Sequence, residues 1–219
     1  MPGLLIDAST LPMSIEPIQV EPAPRWRLTY PGEPGCVARN GLLVLITPTH
    51  PIYPLDYRPP EMVRVGGDYV AAIAANSLRE MFDAARAAGL PLTNHSGFRS
   101  YEQQAQLWRG ATRRYGVAIA QRWWARPGHS EHQLGLAIDL SSAFRSFRHT
   151  PHSAWVAENS WQFGWIVRYE YGTEYITGIA YEPWHLRYIG REAAAAYREG
   201  NYRTLEEFLG MIPEPPTPD

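Results

Sequence analysis

Helical and extended segments follow one another along this chain in an irregular order. An apolar stripe at helical spacing predicts a core-facing helix over 69–88. The stripe consists of Leu78, Met81, Phe82 and Ala85. Strand-like stretches follow at 92–96 and 134–140, with a second helix between them. A regular βαβ rhythm would predict a parallel sheet, whereas this order predicts an α+β fold with helices around a central, mainly antiparallel sheet.

Local signals place the remaining elements. Ser100 and Gln103 form a capping box, which predicts a helix beginning at Ser100, and Thr204 and Glu207 form another. An apolar run over 42–46 predicts a short buried strand. We expect further helical segments at 113–124, 153–160 and 191–199, and further strands at 165–169 and 179–184.

The 219 residues suit one substantial domain with its own core. Residues 1–40 are rich in proline and glycine and show no period, which predicts an extended N-terminal arm. The proline-rich stretch 213–219 predicts a disordered tail. We expect the domain itself to span 41–212.

Composition excludes several kinds of partner and site. The 20 basic and 22 acidic residues give a net charge of −2, which provides no basic footprint for nucleic acid. The one cysteine, Cys36, cannot form an internal disulfide or a cysteine zinc cluster, so any metal site must use His, Asp or Glu. No apolar run is long enough to cross a bilayer, and the N-terminus lacks the pattern of an export signal.

The stretch 130–139 (Ser-Glu-His-Gln-Leu-Gly-Leu-Ala-Ile-Asp) combines a predicted strand with two groups that can bind a metal. From Gly135 onward, bulky apolar residues alternate with small ones, so one face suits a core and the other is nearly bare. Asp139 lies on the bare face, and a turn before the strand could bring the imidazole of His132 beside it. The alternative is a buried, hydrogen-bonded Asp–His pair.

The stretch 181–185 (Tyr-Glu-Pro-Trp-His) supplies another histidine and another carboxylate. Pro183 favours extended geometry at Glu182, so we expect Glu182 to end a strand. Residues three apart on a flat strand point to opposite faces, but a turn at 183–184 would bring Glu182 and His185 to one side. The alternative is a structural turn with a surface carboxylate.

Together the two stretches offer two imidazoles and two carboxylates. Hydrolytic zinc sites use three protein ligands and keep a fourth position for water, whose pKa the metal lowers. A carboxylate that is not a ligand then takes the proton of the water and delivers it to the leaving amine. The ligands that we assign are His132, Asp139 and His185, with Glu182 as the base. By spacing alone, Asp139 and Glu182 could exchange roles.

Arg99 lies immediately before the second predicted helix, in the stretch 96–101 (Ser-Gly-Phe-Arg-Ser-Tyr). Its guanidinium could hold a carboxylate in a fork or stabilise an oxyanion, and the helix dipole favours anions at the same place. The alternative, which is commoner for arginines, is a surface side chain.

Three ordered motifs resemble those of the VanY-type D-alanyl-D-alanine carboxypeptidases, zinc peptidases related to lysostaphin-type enzymes and the Hedgehog domain. The family pattern Ser-x-His-x-x-Gly-x-Ala-x-Asp runs unbroken over 130–139, and Glu-x-x-His is present at 182–185. The element Ser-Gly-(Tyr/Phe)-Arg-Ser-Tyr-x-x-Gln runs over 96–104. Three motifs in order are far more specific than one short pattern. The resemblance covers roughly residues 41–190.

The resemblance implies a Hedgehog/DD-peptidase-like α+β fold and one assignment of the site. The Zn²⁺ ligands that it implies are His132, Asp139 and His185, with Glu182 as general base. The groups that it implies for gathering the substrate's C-terminal carboxylate are Arg99, Gln104 and Ser130. It thereby resolves the choice between Asp139 and Glu182 that spacing leaves open.

The implied activity is that of a D,D- or L,D-carboxypeptidase that removes the terminal D-alanine from peptidoglycan stem peptides. We expect a monomer whose partner is the stem peptide, located in the cell envelope or periplasm. Because no export signal is visible, a cytoplasmic or phage-encoded protein is the other expectation. Two alternative functions are an endopeptidase of the same group, of the phage-lysin type, and a non-catalytic binding module that keeps zinc for structure.

Overall fold

The computed structural model describes residues 41–140 and 145–211 and has an α+β fold, as predicted. The predicted arm at 1–40 and tail at 213–219 lie outside the described residues. The strands are β1 Met62–Val65, β2 Asp68–Ala71, β3 Asn94–Ser96, β4 Ala137–Leu140, β5 Trp165–Tyr169 and β6 Glu182–Tyr188. The helices are α1 Ala72–Ala87, α2 Tyr101–Tyr115, α3 Val117–Ala120, α4 Pro151–Asn159, α5 Glu174–Thr177, α6 Arg191–Glu199 and α7 Leu205–Phe208. Short 3₁₀ helices lie at Gly41–Leu43, Glu131–Leu134, Arg145–His149 and Ser160–Phe163.

The main sheet is antiparallel throughout and has the strand order β3-β4-β6-β5. In the pairing of the central strands, Asp139 lies opposite His185 and Ile138 lies opposite Leu186. On the other side of β4, Ser96 of β3 also lies opposite Asp139. Since side chains alternate between faces, this register gathers polar side chains from several strands in one region of the sheet.

The apolar face of the sheet packs against α1 and forms the main core. The predicted stripe of α1 is buried here, with Leu78 and Met81 inaccessible to solvent beside Ile138 and Leu186 of the sheet. The helix begins at Ala72 and not at residue 69, because residues 68–71 form β2.

The two predicted capping boxes are present and fix helix starts. The Ser100 hydroxyl accepts a hydrogen bond from the Gln103 amide at 3.3 Å, and the Gln103 side chain accepts one from the Ser100 amide at 2.8 Å. The same reciprocal pair joins Thr204 and Glu207 at α7. These bonds satisfy amides that have no partner within the helix. The box at α2 also fixes the chain immediately after Arg99.

The predicted strand at 42–46 is wrong. This segment forms a 3₁₀ turn followed by irregular chain, although Val44 and Ile46 are buried as an apolar run should be. A side chain replaces the missing neighbouring strand, because Arg187 donates to the carbonyl oxygens of Leu42 and Val44 at 2.9 and 2.8 Å. Backbone groups of a buried segment need partners, and here a guanidinium supplies them.

Other boundaries also differ from the sequence prediction. The hairpin of β1 and β2 was not predicted, and the helical segment expected at 113–124 is divided between the end of α2 and the short α3. The strand expected at 134–140 begins only at Ala137, because the 3₁₀ helix Glu131–Leu134 precedes it. The predictions at 165–169 and 191–199 match β5 and α6, and α4 lies within two residues of its expected bounds.

β6 changes register against β5 where the sequence analysis predicts a turn. Val167 lies opposite Leu186, whereas Tyr169 lies opposite Glu182, so four steps along β6 oppose two along β5. The two extra residues bulge out of the ladder. The predicted turn at 183–184 is therefore wrong, because β6 remains a strand from Glu182 to Tyr188. Glu182 and His185 nevertheless lie close together, with Glu182 Oε2 3.9 Å from His185 Nδ1.

Four buried charged side chains join β5, β6, α7 and the 3₁₀ helix before β4, and we call them the buried ion cluster. Arg168 donates to Glu131 Oε1 at 2.9 Å and to the two oxygens of Glu206 at 2.9 and 2.7 Å. Arg187 lies 2.9 Å from the same oxygen of Glu131. Burial by itself would raise the pKa of Glu131, but the guanidinium groups hold that pKa well below its usual range.

Candidate active site

The three predicted metal ligands meet on the polar side of the central strands. His132 Nε2 lies 3.3 Å from Asp139 Oδ2, and His185 Nδ1 lies 3.2 Å from Asp139 Oδ1. The two imidazole rings are nearly perpendicular, with their centroids 5.0 Å apart. One possible ligand atom from each residue lies within 4.8 Å of the other two.

These separations fit one zinc ion. Nitrogen and oxygen ligands at about 2.0–2.1 Å from a tetrahedral ion are about 3.3–3.4 Å apart. A nitrogen of His132 and a nitrogen of His185 lie 3.3 and 3.2 Å from Asp139, each from a different one of its two oxygens, and both distances are close to that value. Two imidazoles and a carboxylate, without a thiolate, are also donors typical of catalytic zinc sites, which keep one position for water.

A backbone carbonyl orients His132. The 3₁₀ helix that carries His132 ends at Gly135, whose φ of +67° is a left-handed conformation that glycine adopts readily. His132 Nδ1 lies 2.7 Å from the carbonyl oxygen of Gly97, so this nitrogen carries the proton and donates it. His132 Nε2 is left to face Asp139 as an electron-pair donor. Burial also lowers the pKa of His132, which favours the neutral ring that a metal needs.

The two carboxylates of the site have different electrostatic environments. Burial would raise the pKa of Asp139, but His132 and His185 hold it well below its usual range. Burial raises the pKa of Glu182 to about 8. Glu182 Oε2 lies 3.9 Å from His185 Nδ1, which places the carboxyl group beside the three ligands. A buried carboxyl with a pKa near neutrality is suited to accepting and releasing a proton.

Arg99 is fixed at the same site. Its guanidinium donates to Ser96 Oγ and to Gln104 Oε1, both at 2.8 Å, and lies 4.0 Å from Asp139 Oδ2. Gln104 Nε2 donates in turn to the carbonyl oxygen of Ala125 at 2.6 Å. The guanidinium is therefore held in one orientation, in contrast to a surface arginine, and its side chain is only 21% exposed.

One cleft of about 580 Å³ contains all the predicted site residues. Those residues are Arg99, Gln104, Ser130, His132, Asp139, Glu182 and His185. An apolar part of the cleft is formed by Leu107, Tyr115, Ile119, Trp123, Trp124 and Ile179. Tyr169 also lines the cleft but was not predicted, and its ring centroid lies 5.0 Å from that of His185. Its place opposite Glu182 depends on the register of β5 and β6, which no local pattern reveals.

Known proteins resemble this chain in both sequence and fold. A sequence profile described as VanY, D-alanyl-D-alanine carboxypeptidase, matches residues 67–191, which is more than half of the chain. A D-alanyl-D-alanine carboxypeptidase of Enterococcus faecalis is 37% identical over 177 residues. The matched region covers 76% of this chain and 65% of the length of that relative.

Two solved structures are similar as well. An LdcB LD-carboxypeptidase is 34% identical with a TM-score of 0.72, over 80% of this chain and 88% of the other. A vancomycin-resistance D,D-pentapeptidase VanY in complex with Zn(II) is also 34% identical, with a TM-score of 0.68, over 77% of this chain and 98% of the other. The predicted fold is thereby confirmed, and the Zn(II) in that relative agrees with the donor set found here. The chain belongs to the VanY family of D-alanyl-D-alanine carboxypeptidases.

Proposed function

We propose that this protein is a zinc-dependent carboxypeptidase that removes the terminal D-alanine from peptidoglycan stem peptides. The observation that carries the proposal is the position of Glu182. Its carboxyl lies 3.9 Å from His185 in the cleft that holds the three metal ligands, and its pKa is raised to about 8. A metal site with an adjacent carboxyl group outside the ligand set is the arrangement that hydrolysis by activated water requires.

In this proposal the protein side chains have separate tasks. His132, Asp139 and His185 hold the ion, which when bound supplies a water of near-neutral pKa and polarises the scissile carbonyl. Glu182 accepts the proton of the water and delivers it to the leaving amine. The pKa of about 8 applies to Glu182 without a cation beside it, and a neighbouring dication lowers it towards the range of a general base.

Arg99 binds the C-terminal carboxylate of the substrate. A guanidinium has five N–H donors, and Ser96 and Gln104 use two of them, so donors remain for a carboxylate. Gln104 supports binding by fixing Arg99, because its own amide is anchored on Ala125. Ser130 lines the same cleft and adds a hydroxyl. Recognition of a terminal carboxylate favours removal of the last residue over cleavage within the peptide.

Defined stem peptides test the reaction and its specificity. The similar solved structures are described as an LD-carboxypeptidase and a D,D-pentapeptidase, so both tetrapeptide and pentapeptide stems are candidate substrates. We expect mass spectrometry to show release of free D-alanine from at least one of them. Internal cleavage without free D-alanine would instead support the endopeptidase. A zinc-loaded protein that leaves every stem intact would support the non-catalytic module.

Replacing Glu182 by alanine tests the proposed base. We expect Glu182→Ala to retain zinc, because Glu182 is outside the ligand set, and to lose turnover by several orders of magnitude. Glu199→Ala, at an exposed position at the end of α6, is the control and should keep full turnover. Turnover that survives in Glu182→Ala would show that another group accepts the proton.

We also propose that the protein acts in the cell envelope as a monomer. The VanY relatives are named for an activity on D-alanyl-D-alanine, which supports that location. Among the helices in the described part of the chain, none has the length and apolar character needed to cross a membrane. Size-exclusion chromatography with light scattering tests the monomer, and a mass of twice 24.8 kDa would contradict it.

A further inference from the structure

The ring of His185 presents its two nitrogens to two different carboxylates. Nδ1 lies 3.2 Å from Asp139 Oδ1 at the metal site, whereas Nε2 lies on the far side, 3.6 Å from Glu131 Oε2. Both His185 Nε2 and Glu131 Oε2 are buried, and neither has a hydrogen-bond partner within 3.5 Å among the described residues. Because buried polar atoms are nearly always hydrogen-bonded, each of these two atoms is the natural hydrogen-bond partner of the other.

We infer that Glu131 is a positioning residue that accepts a hydrogen bond from His185 Nε2 and so leaves Nδ1 for the metal. Histidines that bind metals commonly donate their other N–H to a carboxylate, which fixes both the tautomer and the orientation of the ring. Glu131 does not touch the ion or the substrate in this arrangement. The inference rests on the proposed metal site, but its tests below need no turnover.

The buried ion cluster holds Glu131 in the required orientation. Glu131 Oε1 lies 2.9 Å both from Arg168 Nε and from Arg187 NH1, so the other oxygen is turned towards His185. Arg168 is itself held by both oxygens of Glu206, on α7. Glu206 lies outside the 67–191 range matched by the family profile. One short 3₁₀ helix thus carries both the ligand His132 and the residue that positions the other histidine.

The two histidines should therefore have opposite tautomers in the zinc-loaded protein. His132 donates from Nδ1 to the carbonyl of Gly97 and is left with Nε2 for the ion. His185 donates from Nε2 to Glu131, which leaves its Nδ1 for the ion. Long-range ¹H–¹⁵N NMR of the zinc-loaded wild-type protein reports the protonated nitrogen of each ring. A proton on Nδ1 of His185 would overturn the inference, and this measurement requires no variant.

Two matched variants test the same contact through zinc affinity. In Glu131→Gln the amide nitrogen must face either the arginines or His185, all of which are donors, so one contact is lost. Loss of such a carboxylate partner typically weakens metal binding by about 10–100-fold, which chelator competition measures. Glu206→Gln creates the same mismatch with Arg168 but does not contact His185, and we expect it to lose much less zinc affinity than Glu131→Gln.

The outcomes distinguish a specific role of Glu131 in orienting His185 from a general destabilisation of the buried ion cluster. Equal losses of zinc affinity in the two variants, or an unchanged affinity in Glu131→Gln, would overturn the inference. If Glu131→Gln does not fold, the NMR measurement on the wild-type protein decides. A wild-type protein that binds zinc with the expected tautomers but releases no D-alanine would refute the proposed function and leave the role of Glu131 intact.

Discussion

Replacing Arg168 by methionine tests whether the buried ion cluster stabilises the domain. Arg168 is 1% exposed and donates three hydrogen bonds, of 2.9, 2.9 and 2.7 Å, to Glu131 and Glu206. Methionine is also unbranched, but it leaves Glu206 without this partner, while Glu131 retains Arg187. Removing one partner of a buried ion pair lowers the free energy of unfolding by about 3–5 kcal/mol, because the remaining charge is buried without compensation.

Urea unfolding followed by tryptophan fluorescence measures this loss. With an m-value of about 2 kcal/mol/M, the expected loss lowers the midpoint by about 1.5–2.5 M. Arg86→Met is the control, because the 2.8 Å pair of Arg86 with Asp83 is about two-thirds exposed. Exposed pairs of this kind contribute less than about 1 kcal/mol. If Arg168→Met lost no more stability than Arg86→Met, the reasoning about burial would be refuted.

A double variant and acidification provide independent checks. Adding Glu206→Met to Arg168→Met removes the uncompensated carboxylate, so we expect part of the stability to return. The folded-state pKa of Glu131 is lowered, so its contribution to stability is present above the unfolded value of about 4.3 and lost as pH falls through the folded value. Because Arg168 supplies much of this shift, the difference between wild type and Arg168→Met should shrink below about pH 4.

Two further changes test positions that fix the site. Gly97→Ala would place a methyl group against the carbonyl oxygen of Tyr69 and 2.9 Å from Asn94 Nδ2, so the backbone must shift at the residue whose carbonyl contacts His132. We expect weaker zinc binding in chelator competition, and an unchanged affinity would contradict the orienting role of that carbonyl. Ser100→Ala removes the capping hydroxyl of α2 and should lower the free energy of unfolding in urea by about 1 kcal/mol. No measurable loss would show that the cap contributes nothing.

Two local features around the site could be predicted from backbone geometry, whereas the roles of the side chains were assigned from the family motifs. The alternation from Gly135 to Leu140 correctly separated the buried Ile138 from the side that carries Asp139. The capping box at Ser100 correctly placed Arg99 at the start of a helix. Both signals act over a few residues, and the chemistry of their side chains is visible in the sequence itself.

The contacts around those side chains could not be predicted in the same way. Glu131 is separated from Arg168 by 37 positions, and Arg168 from Glu206 by 38, so no local pattern links them. The apolar run at 42–46 was interpreted as a strand because periodicity does not show that a side chain, here Arg187, can satisfy its carbonyl groups. The hairpin of β1 and β2 had a usable signal in Gly66-Gly67, which joins the two strands.

The bulge in β6 also limits which changes in chain length the active site can tolerate. Glu182 and His185 are three positions apart on β6, in the segment where the strand has two residues without a counterpart on β5, and their side chains come within 3.9 Å of each other. Deleting one residue between them, or inserting one, would turn either the proposed proton acceptor or the proposed metal ligand to the opposite face, because side chains alternate along a strand. Loops elsewhere in the domain can lengthen at little cost in free energy. In this segment, by contrast, a change in length of a single residue would disrupt the site.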